Sequence, residues 1–201
     1  MKKLFYFLGP IIIIIFAYTI FRTGEDEDYI NKIEEERASR VKFLKVSDAS
    51  PFQLYDKEFA EPEYYPISSD YRVNAKLERL QTKERMTITN SDGSETIYQK
   101  FAYAIFTLKG QQHRLLILKH LNMGAIAQYF TGFADNTSGT DTYGGGRYLD
   151  LEIGKSDNIV IDFNLAYNPY CAYVDQYQCP FPPKENVLPI RIEAGEKDYH
   201  K

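Results

Sequence analysis

The sequence predicts an all-β domain, an antiparallel meander closed into a barrel or folded into a sandwich, with an N-terminal transmembrane helix and a short stalk helix. Short segments rich in β-branched and aromatic residues crowd the chain after Tyr71, at 71–79, 85–90, 96–107, 114–119, 127–133, 147–153 and 159–164. Asp92-Gly93, a strong hairpin signal, separates the second segment from the third, and Lys109-Gly110 offers a second turn between the third and the fourth. Ahead of all this, residues 4–21 form one uncharged apolar stretch close to the length that crosses a bilayer.

The chain of 201 residues is long enough to bury one ordinary core. Lys2 and Lys3 precede the apolar stretch while Glu25, Asp26, Glu27 and Asp28 follow it, so the positive-inside rule puts everything after Phe21 outside the cytoplasm. The expectation is an uncleaved anchor at 1–22 in the cell membrane, with the domain on the periplasmic or extracellular side. A cleaved signal peptide is the rival, weakened by the scarcity of small residues at the right offsets. Subtracting the +3 of Lys2, Lys3 and Arg22 from the net −4 leaves −7 on the remainder, and no basic run is interleaved with aromatics. Nucleic acid is therefore excluded as a partner.

In 23–46, Ile30, Ile33, Val41 and Leu44 fall at helical spacing, with acids first and Arg40, Lys42 and Lys45 last, the order that suits a helix dipole. Ser50-Pro51, Glu61-Pro62 and Tyr65-Pro66 then predict an irregular connection over 47–70, leading into a β domain at 71–201.

Motifs that carry chemistry are few. His113 and His120 flank one predicted strand at odd separation and point to opposite faces, so no shared metal site and no cofactor is expected. Cys171 and Cys179 lie in the part assigned to an oxidising compartment and predict a structural disulfide, with a reactive thiol pair as the alternative. In the run from Asp135 to Asp150, Gly144, Gly145 and Gly146 allow close backbone approach and can direct N–H groups at an anion. Arg147 heads an apolar row on the strand that follows. Either it makes a structural ion pair with Asp162, Asp150 or Glu193, or it binds an anion at a pocket mouth. Asp162 and Asn164 share one strand face, Asn168-Pro169 is a turn, and Arg191 and Glu193 share a face of a last predicted strand at 188–193.

The ordered motifs T-Y-G-G-G-R-Y-L-D at 142–150, D-F-N-x-A-Y-N-P at 162–169, Cys171-Ala172, C-P-F-P-P at 179–183 and N-x-L-P-I-R-I-E-A-G-E at 186–196 resemble the bacterial family called domain of unknown function 1684. The resemblance spans about residues 30–197, and Phe181 stands where the family pattern has leucine. It implies secreted or membrane-anchored proteins and carries over no activity, substrate or catalytic residue.

Three functional readings follow. The first is a noncatalytic domain that binds a small molecule or glycan at one barrel end, through Tyr143, Gly144, Gly145, Arg147, Asp150, Asp162, Asn164, Asn168, Arg191 and Glu193. The second is an extracytoplasmic hydrolase with Asp162 and Glu193 as base and acid. The third is an envelope scaffold or partner protein with an exposed apolar patch.

Overall fold

The computed structural model describes residues 26–121 and 129–199. The apolar stretch at 4–21 lies outside the described residues, as do the first two residues of the segment expected at 127–133. Among the described residues no helix is long and apolar enough to cross a membrane. By compactness the chain divides into Met1–Ala38 and Ser39–Lys201. Helix α1 covers 26–46, so its last turns belong to the second unit.

The connection expected to be irregular over 47–70 carries a one-turn helix, α2 (Pro51–Leu54). Ser50 makes that turn: its hydroxyl accepts from Phe52 N at 3.2 Å and donates to the Leu44 carbonyl, while Pro51 sits where a helix needs no N–H. Phe52 and Leu44 thereby pack with Tyr173 and Val174 in a satellite core.

Among the described residues seven strands follow: β1 (Arg72–Arg79), β2 (Arg85–Thr89), β3 (Glu95–Leu108), β4 (Gln111–His120), β5 (Tyr129–Phe133), β6 (Arg147–Leu151) and β7 (Asn158–Asp162). They form one antiparallel sheet in the order β6-β5-β4-β3-β1-β7, with β2 also on β3. Strand β3 is long enough to serve two neighbours along one edge. Glu95–Gln99 pair with β2 and Ala102–Phe106 with β1. Between these halves, at Lys100/Ala102, the register with β4 slips by a bulge, which bends the sheet. The sheet curls far enough that the chain after β7 reaches the opposite edge. There Tyr148 N donates to Tyr167 O at 2.8 Å and Tyr167 N to Tyr148 O at 3.0 Å. The architecture is a curled antiparallel half-barrel.

Alternation decides which side chains fill it. Leu115 and Ile117 of β4 point inward with Ala104, Phe106, Leu149, Ile161 and Phe163. Leu116 and Leu118 point outward yet are also buried, in a second cluster with Tyr98 and Phe130. Burying each such residue contributes about 1.5–3 kcal/mol. The outer face of β4 is reached by a 3-10 turn, Lys184–Asn186, whose Asn186 side chain enters the sheet. Its Oδ1 accepts from Leu116 N (2.7 Å), and its Nδ2 donates to the carbonyls of Leu116 (3.0 Å) and Gly132 (2.8 Å) and to Thr131 Oγ1 (3.1 Å).

The strand expected at 188–193 does not form. That segment runs as an extended strap held by isolated bridges, Ala134 with Val187 and Tyr64 with Glu196. Three carbonyls along the strap, those of Ile192, Ala194 and Glu196, are taken by an arginine side chain described below, which leaves no continuous ladder. Gly195 lets the strap dive against the turn after β7: at φ +76°, a Cβ there would stand 2.6 Å from the Ala166 carbonyl and 2.7 Å from that of Phe163.

Asn186→Ala will lower stability by about 2–4 kcal/mol in urea denaturation, because it strands buried backbone groups of two strands. The exposed neighbour Val187→Ala is expected within about 0.5 kcal/mol of the parent.

Candidate functional site

Arg147 opens β6 and points into the barrel, where it is 1% exposed. Its Nη2 donates to Asp135 Oδ2 at 2.7 Å and to the Ile192 carbonyl at 3.0 Å, and its Nη1 donates to the carbonyls of Ala194 and, at 3.4 Å, Glu196. The guanidinium also lies over the Phe133 ring, 5.2 Å from its centroid. Burial pulls its pKa down and Asp135 pulls it back up, but an arginine starts so high that it stays charged. This is the structural ion pair, with a partner other than the Asp162, Asp150 or Glu193 expected. No fork of the guanidinium is left to hold an anion.

Asp135 is held ready by its own loop. Its Oδ1 accepts from Thr137 N at 2.6 Å and from the Thr137 hydroxyl, which in turn shares a hydrogen bond with Thr142 at 2.9 Å. The glycine run brings the loop back to β6. Gly146 sits at φ +85°, where a Cβ would stand 2.6 Å from Phe133 O and 2.5 Å from Pro182 Cγ. Of the two close approaches that the run allows, to a ligand or to a neighbouring strand, this one is to the backbone of the neighbouring strand β5 and to a proline ring. Gly144 is exposed and Gly145 half-buried.

A second buried carboxylate anchors the end of the strap. Glu196 is wholly buried; it accepts from Asn168 N (3.2 Å), from Asn168 Nδ2 (3.0 Å) and from the Tyr173 hydroxyl, with Arg40 Nε at 3.7 Å. Asn168 Nδ2 also donates to the Lys197 carbonyl at 2.7 Å. Asn164, equally buried, exchanges hydrogen bonds with Ser68 in both directions, at 2.8 and 3.0 Å, and takes Asp162 as its cap. Asn164 and Asn168 thus serve the scaffold.

The remaining expected site residues do not gather with these. Asp150 is exposed and accepts from Tyr167 OH at 3.0 Å. Arg191 and Glu193 lie on the outside of the strap, paired with each other at 3.1 Å, and Arg191 also binds Asp141 and the Asn136 carbonyl. Tyr143 points to Cys171, its hydroxyl 3.7 Å from the sulfur. Asp162 and Glu193 have separate local partners and neither is buried, so the acid–base pairing expected of them gains no geometric support. Cys171 and Cys179 are both buried free thiols in this structure. Among the described residues no group of three or more His, Cys, Asp or Glu could hold a metal ion.

Sequence reasoning passed over Asp135, Glu196 and Asn186 as site residues. Each stands among other polar residues, Asp135 before Asn136 and Thr137, Asn186 after Lys184 and Glu185, and Glu196 before Lys197 and Asp198, so no local pattern marks it for burial.

An open groove lies elsewhere, on the outer face of β7-β1-β3-β4. About 460 Å³ in volume, it is lined by Asn74, Lys76, Glu78, Thr107, Gln112 and Asn158 over Ala75, Ile105 and Phe106. Register explains the grouping: Asn74 stands opposite Val160, and Thr107 opposite Gln112, while Lys76 is flanked by Asn158 and Ile105.

Removing the clamp, as in Arg147→Met, will cost about 3–5 kcal/mol of unfolding free energy, since Asp135 is left buried and uncompensated. Glu196 will show itself in pH dependence. Burial raises its carboxyl above the ordinary 4.5, against the opposing pull of Arg40, Tyr173 and Asn168. The folded chain therefore holds this proton more readily than the unfolded chain. The resulting stability is fully present below the unfolded value and is lost as pH rises through the folded one. Thermal midpoints measured from acid to neutral pH will carry that decline in the parent and lack it in Glu196→Gln.

None of the curated proteins matches the chain. Among solved structures, the solution NMR structure of the uncharacterised protein from gene locus rrnAC0354 of Haloarcula marismortui is similar, with 31% identity and a TM-score of 0.67, over 87% of this chain and 96% of that one. Residues 57–197 match the family described as "Protein of unknown function (DUF1684)", and they hold the clamp, the strap and the glycine loop just described. The chain is a member of the DUF1684 family.

Proposed function

We propose that this is a noncatalytic binding domain for a small, polar, weakly charged ligand, a glycan above others, which it takes up in the groove on the outer face of β7-β1-β3-β4. The apolar N-terminal stretch would hold the domain outside the cytoplasm, at the membrane surface. One observation carries the reading. The conspicuous polar residues of the signature are consumed by the fold, whereas the polar side chains lining the groove are exposed and make no hydrogen bond or ion pair with another described residue.

Their chemistry suits sugar hydroxyls. Three carboxamides and a threonine both donate and accept, Ile105 gives an apolar floor for C–H faces, and Lys76 is offset by Glu78, so there is no concentrated charge for a phosphate. The volume falls within the range of about 300–1,000 Å³ that small-ligand sites occupy.

Titration of soluble oligosaccharides into the protein, followed by calorimetry, tests this. Binding is expected to weaken about 5- to 10-fold for each of Asn74→Ala, Gln112→Ala and Asn158→Ala, with thermal midpoints unchanged. A panel of sugars that leaves the protein's heat signal and melting temperature untouched, or binding indifferent to all three substitutions, defeats the proposal.

A further inference from the structure

Cys171 and Cys179 stand eight positions apart, and the fold brings the Cys179 sulfur against the Cys171 backbone. Cys171 lies in the 3-10 turn Tyr170–Ala172; Cys179 precedes Pro180, whose carbonyl accepts from the Tyr148 hydroxyl at 2.6 Å. The Cys171 amide donates to Cys179 Sγ at 3.0 Å, and the Tyr143 hydroxyl donates to Cys171 Sγ at 3.7 Å. From the β2–β3 turn, Ser91 holds Cys179 by its backbone on both sides: Ser91 N donates to Cys179 O at 2.9 Å and Cys179 N donates to Ser91 Oγ at 3.2 Å. Each cysteine is buried, 7% exposed, so a small reagent reaches the pair more readily than the active site of another protein does.

The two sulfurs are not equivalent. A hydrogen bond from the Cys179 thiol holds Cys171 down to about 7, with further help from Tyr143 and Ser91, while the same contact and burial push Cys179 up. Among the described residues the other ionisable groups facing them are Tyr143, Tyr148, Tyr98 and Tyr177, all raised by burial and so neutral at neutral pH, with Asp175 beside Tyr143. With the Tyr143 hydroxyl donating to its sulfur, Cys171 is the one primed as a nucleophile and Cys179 stands by as the neighbouring thiol, the division of labour that thiol–disulfide exchange needs.

We propose that Cys171 and Cys179 form a reversible dithiol–disulfide couple, with Cys171 the attacking thiolate, Cys179 the resolving thiol, and a small-molecule disulfide of the glutathione class as exchange partner. The Cys171 thiolate attacks one sulfur of that disulfide, whose S–S bond breaks and whose other half leaves as a thiolate and takes up a proton. Cys179 then attacks Cys171 Sγ in the mixed disulfide, its proton passing to the second leaving thiolate. The balance is one small disulfide reduced to two thiols and one protein dithiol oxidised to a disulfide. Oxidation closes the loop that holds Tyr173 and Val174, which pack with Leu44 and Phe52, so the couple would tune how firmly the end of α1 and α2 sits on the barrel.

The full chain in detergent micelles, equilibrated in buffers of varied reduced-to-oxidised glutathione ratio, quenched with acid and weighed by mass spectrometry, tests the proposal. The parent is expected to pass reversibly between dithiol and disulfide while folded. Cys179→Ser, which keeps a donor to Cys171, should accumulate one glutathione, at least tenfold faster than Cys171→Ser does. Its thiolate absorbance should titrate near 7, moving toward about 8.5 in Cys179→Ala. The proposal fails if the parent stays reduced at every ratio, if its disulfide yields to reduced glutathione only on unfolding, or if Cys171→Ser is modified as fast as Cys179→Ser. Circular dichroism identifies a variant that does not fold, and in that case the parent's equilibrium alone decides.

Discussion

The buried guanidinium of Arg147 is the constraint on which the rest of this structure turns. A permanent cation inside a hydrophobic half-barrel needs compensating acceptors, and the chain supplies its two terminal nitrogens with one carboxylate and three carbonyls from two remote segments. To deliver the carboxylate, the loop after β5 must wind through Asp135, Thr137 and Thr142 and return through Gly146. To deliver the carbonyls, the strap after Leu188 must stay extended and cross the barrel instead of joining the sheet. Glu196 and Asn168 then fix the strap's far end. One charge thereby explains a glycine turn, the failure of a predicted strand and the placement of a second buried carboxylate.

That economy bears on function. Polar residues in a motif invite a catalytic or binding reading, yet here the guanidinium, both asparagines after β7 and the glycine run are occupied in holding backbone to backbone. The proposed ligand site lies instead on the ordinary-looking outer face of β7-β1-β3-β4, where the amides of Asn74, Gln112 and Asn158 are exposed. The proposed glycan site and the dithiol couple occupy different parts of the molecule, and each can fail without the other.

Much of the fold was legible because its determinants are local. Alternation marked the strands, Asp92-Gly93 and Lys109-Gly110 marked the hairpins around β3, and the charge order of 26–46 marked the helix. What local pattern could not give was pairing at a distance. Residues 188–193 alternate as a strand should, with Ile192 buried and Arg191 and Glu193 exposed, but a side chain 45 residues away takes the Ile192 carbonyl. Arg147 needs a partner, and the acids that local pattern offers it lie on strand faces; the partner sits in a loop 12 residues upstream, where only the three-dimensional course of the glycine run brings it within reach. Asn186 was missed for the same reason, since its four hydrogen bonds go to residues 54 to 70 positions away.

The central claim is that the strap and the half-barrel form one cooperative unit locked by Arg147. Native-state hydrogen exchange measures this directly at the amides of Leu188, Glu196 and Lys197, which donate to Ala134, Ala166 and Glu63. The account predicts that these amides exchange only through global unfolding, with the same free energy as Leu115 and Ile117 in β4. Exchange of the strap amides several kcal/mol below that level would show a strap that opens on its own, and would contradict it.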